Sequence, residues 1–174
     1  SALCVAYINA MLDQYAVSKD WRAKDAALHL FLAVAVTTSS TLTGAGALNP
    51  NVDILRIFDS HVLPEIRDPD VNARPIVKAD ALKLVCIFRS HLPAAFLMGL
   101  MPDIIRGLHS EHVVIQTYAA LCIERFLVTK DRDPTTGVSK LRLTAVEILP
   151  FVQSMFTGLF GVLVNPDLPE NDYV

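Results

Sequence analysis

Few residues in this 174-residue chain have the chemistry of a catalytic or metal centre. Cysteine occurs three times, as Cys4, Cys86 and Cys122, widely spaced and without a CxxC pair. That excludes a disulfide framework, and an odd count within apolar helical stretches reads as reduced core thiols. The five histidines are dispersed, and no serine or cysteine has neighbours in sequence that would make a nucleophile of it. A nucleophile, base and orienter therefore do not converge as an α-helical enzyme would need. Charged residues make up 19% of the chain and the net charge is −3, with lysine and arginine scattered singly. Without a basic stripe to neutralise phosphates, direct nucleic-acid binding is not expected. Gly44-Ala45-Gly46 lacks both the following Lys-Ser/Thr of a phosphate loop and a strand before it, so no cofactor is expected. No basic segment precedes an apolar core at the N-terminus, so a secretory signal is not expected. The chain opens at Ser1 directly into a helix, as a fragment would.

Apolar residues, by contrast, are abundant, at 52% with a mean hydropathy of +0.41. Either a membrane protein or a piece of a longer helical stack would have this composition. The uncharged apolar run from Ile148 to Val164 spans 17 residues, the lower edge of a membrane helix. Pro150, Gln153, Ser154 and Thr157 interrupt it, and no membrane span is expected. The run from Ala26 to Val36 is too short and contains His29.

The spacing of the apolar residues carries more information than their number. Val77, Ala81, Leu84, Val85 and Phe88 form one stripe of an α-helix. A shift of 38 residues gives Ile115, Ala119, Cys122, Ile123 and Phe126, and a shift of 54 backwards gives Ala23, Ala27, Leu30, Phe31 and Val34. A second pattern alternates with the first: Val62-Leu63-Pro64, Leu100-Met101-Pro102 and Ile148-Leu149-Pro150. Pro64 precedes Ala81 by 17 residues, and Pro102 precedes Ala119 by the same interval. Two helix types alternating with a period of about 40 residues are the signature of a HEAT-type stack. The expected fold is all-α, an α-α superhelix (HEAT-repeat solenoid) of about seven helices in three and a half repeats. Its expected divisions are a half repeat at 1–17, repeats at about 20–67, 74–109 and 111–164, and the start of another at 170–174.

Within this scheme Ser18 or Asp20 is placed to cap the helix that begins at Trp21, and Trp21 is expected to pack on the preceding helix. Residues 37–51, TTSSTLTGAGALNPN, are expected to form a mobile loop. Ile54, Leu55, Phe58, Val62 and Ile66 are expected to point inward, leaving Asp53 and Arg56 outside. Pro75 suits a first helical turn, whereas Pro102 is expected to kink its helix or mark the end of its first turn. His109-Ser110-Glu111-His112 has two possible ligands but not the HExxH arrangement, and reads as a turn with Ser110 as cap. Residues 130–141 form a second insertion at the same repeat phase, so both loops should leave the same edge. A last long helix is expected over about 142–164.

Several segments resemble a known family. These are DWRAKDAALHL (Asp20 to Leu30), VNARPIVKADALKLVCIFRSHLP (Val71 to Pro93), VVIQTYAALCIERFL (Val113 to Leu127), AVEILPFV (Ala145 to Val152) and ENDYV (Glu170 to Val174). In order and over nearly the whole chain, they are similar to the importin-α re-exporters, the CAS-type exportins of the importin-β (karyopherin-β) superfamily. The resemblance implies a transport receptor, not an enzyme, that binds importin-α together with Ran-GTP in the nucleus and releases both in the cytoplasm. It also implies shuttling between the two compartments. In karyopherins the second-type helices line the concave face, which makes Asp53, Arg56, Asp103 and Arg106 the partner-facing candidates. A different HEAT scaffold, such as an assembly or phosphatase-regulatory subunit, would share the periodicity without these segments. Exposed end helices would favour self-association of the isolated piece.

Overall fold

The computed structural model describes residues 2–40, 44–133 and 135–165. Among these, seven helices and two small hairpins follow in order. Helix α1 is Ala2–Ser18 and α2 is Trp21–Ala35, followed by strands β1 (Ser39–Ser40) and β2 (Gly44–Ala45). Helix α3 covers 54–66 as Ile54–Ile57, a π turn Phe58–Val62, and Leu63–Ile66. Helices α4 (Pro75–Phe88), α5 (Ala94–Gly107) and α6 (Val113–Val128) lead to strands β3 (Lys130–Arg132) and β4 (Ser139–Leu141). Helix α7 covers 145–163 as Ala145–Ile148, a 3-10 turn Leu149–Phe151, and Val152–Leu163.

Helices α2, α4 and α6 pack side by side as one layer, and α1, α3, α5 and α7 form the second. Helices α1, α3 and α5 each cover a neighbour in the first layer and α7 packs against α5, following the alternation read from the sequence. The stripes of α4 and α6 are buried throughout, Val77, Ala81, Val85, Phe88, Ile115, Ala119 and Phe126 to within 0–2% of full burial. In α2 the register is rotated: Ala23, Ala27 and Phe31 are buried, but Leu28 and Ala35 replace Leu30 and Val34, which are half-buried. Phe31, Phe88, Phe58 and Phe96 form a chain of rings in that order, with successive centroids 5.5–6.4 Å apart.

Local chemistry fixes most element ends. Asp20 caps α2 by accepting from the Arg22 N–H at 3.1 Å, while Ser18 accepts from the Asp20 N–H. Pro75 occupies the first turn of α4, where its missing N–H leaves nothing unpaired. The three in-phase prolines are all exposed but are accommodated differently. A π turn precedes Pro64, Pro102 lies within an unbroken α5, and Pro150 occupies a 3-10 turn. A π or 3-10 turn changes which carbonyl faces the ring, so a missing donor need not end a helix. Leu55 is 63% exposed rather than inward, because Ile54, Ile57 and Phe58 form the covered face of this first turn and Leu55 lies off it.

Both insertions are hairpins, which corrects the expectation of a mobile loop at 37–51. Among the described residues of the first, Asn49 closes the end of α2 through Asn49 N–H to Ala35 O at 2.9 Å and its side-chain amide to Val34 O at 3.1 Å. Its second strand docks on the end of α4, where Ser90 Oγ donates to Ala45 O and His91 Nε2 lies 2.8 Å from the same oxygen. Gly44 is required there twice over: its φ is +80°, and a Cβ would lie 2.2 Å from Ile87 O. The second hairpin meets the same segment from the other side, so the two insertions do share an edge. Between them Arg89 is 2% exposed, donating to Cys86 O at 2.6 Å and Thr129 Oγ1 at 3.1 Å.

Arg142, expected as the start of the last helix, instead belongs to this joint. Its guanidinium donates to the carbonyls of Arg89 (2.6 Å), Ser90 (2.9 Å) and Leu92 (2.8 Å). Helix α7 starts three residues later, where Thr144 and Glu147 form a capping box.

Candidate interaction surface

The four charged candidates lie on two neighbouring second-layer helices, at opposite ends. Asp53 and Arg56 open α3: both are exposed, and the Asp53 carboxylate caps the helix by accepting from the Arg56 N–H at 3.0 Å. Asp103 and Arg106 close α5 as an ion pair at 2.9 Å. Arg106 also donates to Asp68 O at 3.2 Å and Ile66 O at 3.4 Å, tying α5 to the end of α3. Its guanidinium therefore spans two repeats, while the pair at the start of α3 faces open solvent.

A polar network that the sequence did not reveal lies on the same side as Arg106. Glu65, with its side chain 4% exposed, accepts from Lys24 Nζ at 2.6 Å and from Arg74 Nε at 2.8 Å. Tyr15 OH donates to the same carboxylate at 3.4 Å, and Arg74 also pairs with Asp68. Helices α1, α2 and α3 and the lead-in to α4 thus converge on one buried carboxylate. Burial pushes Glu65 up, but the hydrogen bonds and charges of Lys24 and Arg74 outweigh it and hold its carboxyl below the usual range. Lys24 and Glu65 are 41 residues apart in sequence, and no spacing rule joins them. The one available signal was an acid in the otherwise apolar second-type pattern after Pro64.

The turn at 109–112 is a second joint, with Ser110 as the residue that holds it. Ser110 Oγ donates to Asn72 Oδ1 at 2.8 Å and accepts from the His112 N–H at 3.1 Å. Asn72 also accepts from the Glu111 N–H at 2.9 Å. A groove of about 280 Å³ lies between this turn and α7, lined by Ser110, Glu111, Gln116 and Val162 among others. Trp21 is 38% exposed, with the Arg22 guanidinium 4.9 Å over its ring. Cys86 and Cys122 are buried free thiols, and Cys122 Sγ donates to Leu82 O at 3.2 Å.

The two ends of the stack present apolar surface. On α7 one side buries Ile148, Met155 and Val162, while Val146, Leu149, Phe156, Phe160 and Leu163 are 48–80% exposed on the other. Leu3 and Tyr7 of α1 are 67% and 59% exposed. By length and composition alone α7 could cross a membrane, and 22% of its most apolar window is buried. Its phase in the repeat and its contacts with α5 make it the outermost second-type helix of the stack.

Alternating helix pairs closed by polar joints, with exposed apolar sides on the end helices, define a HEAT-type α-solenoid. A family model described as Cse1 matches residues 2–123, and the chain belongs to the Cse1 family. It is 36% identical over 170 residues to exportin-2 of Mus musculus, covering 97% of this chain and 17% of that protein. Exportin-2 of Homo sapiens is 35% identical with the same coverage. Exportin-2 of Oreochromis niloticus is 35% identical over the whole chain and 18% of its own length. The chain thus spans less than a fifth of its curated relatives. Among solved structures, the exportin Cse1 in its cargo-free, cytoplasmic state matches with a TM-score of 0.63 and 26% identity, over 72% of this chain and 15% of that one.

Proposed function

We propose that this chain is a segment of a nuclear export receptor that carries importin-α out of the nucleus in complex with Ran-GTP. The observation that carries the reading is membership of the Cse1 family together with the likeness to proteins named exportin-2 along the whole chain. The helical stack supports it mechanically. Each repeat rests on its neighbours, so small rotations at joints such as Glu65 and Arg142 add up to a change of curvature. A receptor wrapped on two ligands then couples them, and loss of one weakens the other.

On this reading the protein binds rather than catalyses, and it shuttles between nucleus and cytoplasm. Asp53 and Arg56 are the stronger partner-facing candidates because they are exposed. Asp103 and Arg106 offer the outer edge of a joint. We read the chain as a half repeat at 1–17 and repeats at about 20–67, 74–109 and 111–164; residues 170–174 lie outside the described residues. The exposed apolar sides of α1 and α7 suit adjacent repeats of the longer protein, and in the isolated chain they would favour self-association.

The test is the affinity of the full-length protein for importin-α with and without Ran-GTP. Binding at least tenfold tighter with Ran-GTP supports the reading. An affinity indifferent to Ran-GTP contradicts it.

A further inference from the structure

One inter-repeat turn of this stack is the seat of the next. Asn72, in the turn before α4, accepts through Oδ1 from Ser110 Oγ at 2.8 Å and from the Glu111 N–H at 2.9 Å. Ser110 stands 38 residues after Asn72, which is one repeat on. Beside Ser110 and Glu111 lies the groove of about 280 Å³, bounded on its other side by Gly161, Val162 and Asn165 of α7 and its end. The sequence runs on from Asn165, so the chain is already at this groove when it leaves α7.

A buried polar series follows the first layer at a constant phase and ends at the groove. Lys24, Lys78 and Gln116 are 3–4% exposed, and successive members are 54 and 38 residues apart. Lys24 Nζ donates to Glu65 Oε1 at 2.6 Å, and Lys78 Nζ donates to Asp70 O at 2.7 Å in the segment before its own helix. Gln116 repeats the second of these bonds: its Nε2 donates to Ser110 O at 2.6 Å, which fixes the orientation of the amide. Unlike the lysines it brings an acceptor as well, and that Oε1 is buried with no donor among the described residues. A buried acceptor of this kind calls for a partner. Helix α7 does not fill the space. Gly158 lets it close on Leu108, where a Cβ would lie 2.7 Å from Leu108 Cδ1, but Gly161 has open space where its Cβ would stand.

We propose that this groove seats the turn that leads from α7 into a following repeat, residues 166 onwards of the same chain, and that a donor of that turn completes Gln116 Oε1. Continuity and phase set the occupant: the sequence leaves α7 at a wall of the groove, and the turn one repeat earlier takes the corresponding seat on Asn72. The inference rests on the part of the proposed function that places a further repeat beyond α7, and not on what the receptor carries.

The test is amide hydrogen exchange in the full-length protein, for peptides covering residues 166–174, in the parent, Gly161→Leu and Gln116→Lys. Gly161→Leu fills the groove from a position with open space around it. Gln116→Lys keeps a donor for Ser110 O, in the manner of Lys78, and removes the acceptor. In the parent these peptides should exchange about tenfold or more slower than an unfolded peptide, and in each variant about fivefold or more faster than in the parent, with α4 unchanged. Unprotected 166–174 in the parent, or protection unchanged in either variant, would overturn the proposal. If 166–174 are unprotected while α7 around Phe156 is protected, the stack continues but this groove is not its seat; if neither is protected, the further repeat itself is contradicted.

Discussion

The Arg142 guanidinium donates at 2.6 Å to the backbone carbonyl of Arg89, whose own guanidinium is buried between the two hairpins. An arginine that follows the second insertion thus closes the end of a helix 53 residues earlier in the chain. Bonds to Ser90 O and Leu92 O complete a forked cap on carbonyls that helix geometry leaves unpaired. Arg142→Ala should destabilise the chain by about 2–3 kcal/mol, since several charge-assisted bonds are lost together. Arg142→Lys should recover less than half, because an ammonium cannot reproduce the fork. Urea unfolding midpoints of the three proteins decide this.

Gly44 and Gly99 give opposite expectations for the same substitution. Gly44→Ala places a Cβ against Ile87 O at a positive φ and should cost about 2 kcal/mol or more. Gly99 sits inside α5 with open space around its missing Cβ, so Gly99→Ala should stabilise by about 0.5–1 kcal/mol. Thermal unfolding of the two variants measures the contrast.

Removing the Glu65 charge should leave Lys24 buried and unpaired. Glu65→Gln is expected to cost about 3–5 kcal/mol at pH 7, and Lys24→Met combined with Glu65→Leu to recover most of it. Because the folded pKa of Glu65 lies below its ordinary 4.5, its contribution is present above pH ~4.5 and is lost as pH falls through the folded value. The variant should therefore show a flatter fall in stability below pH ~4.5 than the parent does.

Asp80 acts in the opposite direction. With its pKa pushed up to about 7, the folded state binds the extra proton, and stability falls as pH rises from 3.8 towards 7. Asp80→Asn should remove that slope and stabilise the chain at pH 8 by at least about 1 kcal/mol. Unfolding midpoints between pH 4 and 8 check both the slope and its loss.

The sequence foretold what repeats and missed what joins the repeats. The stripes of α4 and α6 could be read residue by residue because each is one uninterrupted face, and Asp20 could be placed as a cap because its bond is local. The α2 stripe was partly misread, since Leu28 and Ala35 are as apolar as Leu30 and Val34 and only packing chooses among them. Strands of two or three residues fall below any period-2 signal, so the hairpin at Ser39–Ala45 read as a loop. The Lys24–Glu65 and Asp25–Asp80 pairings are long-range: each partner looks like an ordinary helix charge until α2 meets α3 or α4. Asp53 and Arg56 were correctly expected to be exposed. The bonds from Arg106 to Ile66 and Asp68 had no counterpart in spacing.

The central claim, that this stack is completed by further repeats at its ends, is tested most directly by amide hydrogen exchange of the full-length protein against the isolated 174-residue chain. The account predicts that amides of α7 around Phe156 and Phe160, and of α1 around Leu3 and Tyr7, gain at least tenfold protection in the full-length protein while those of α4 are unchanged. Equal protection of the end helices in both proteins would contradict it.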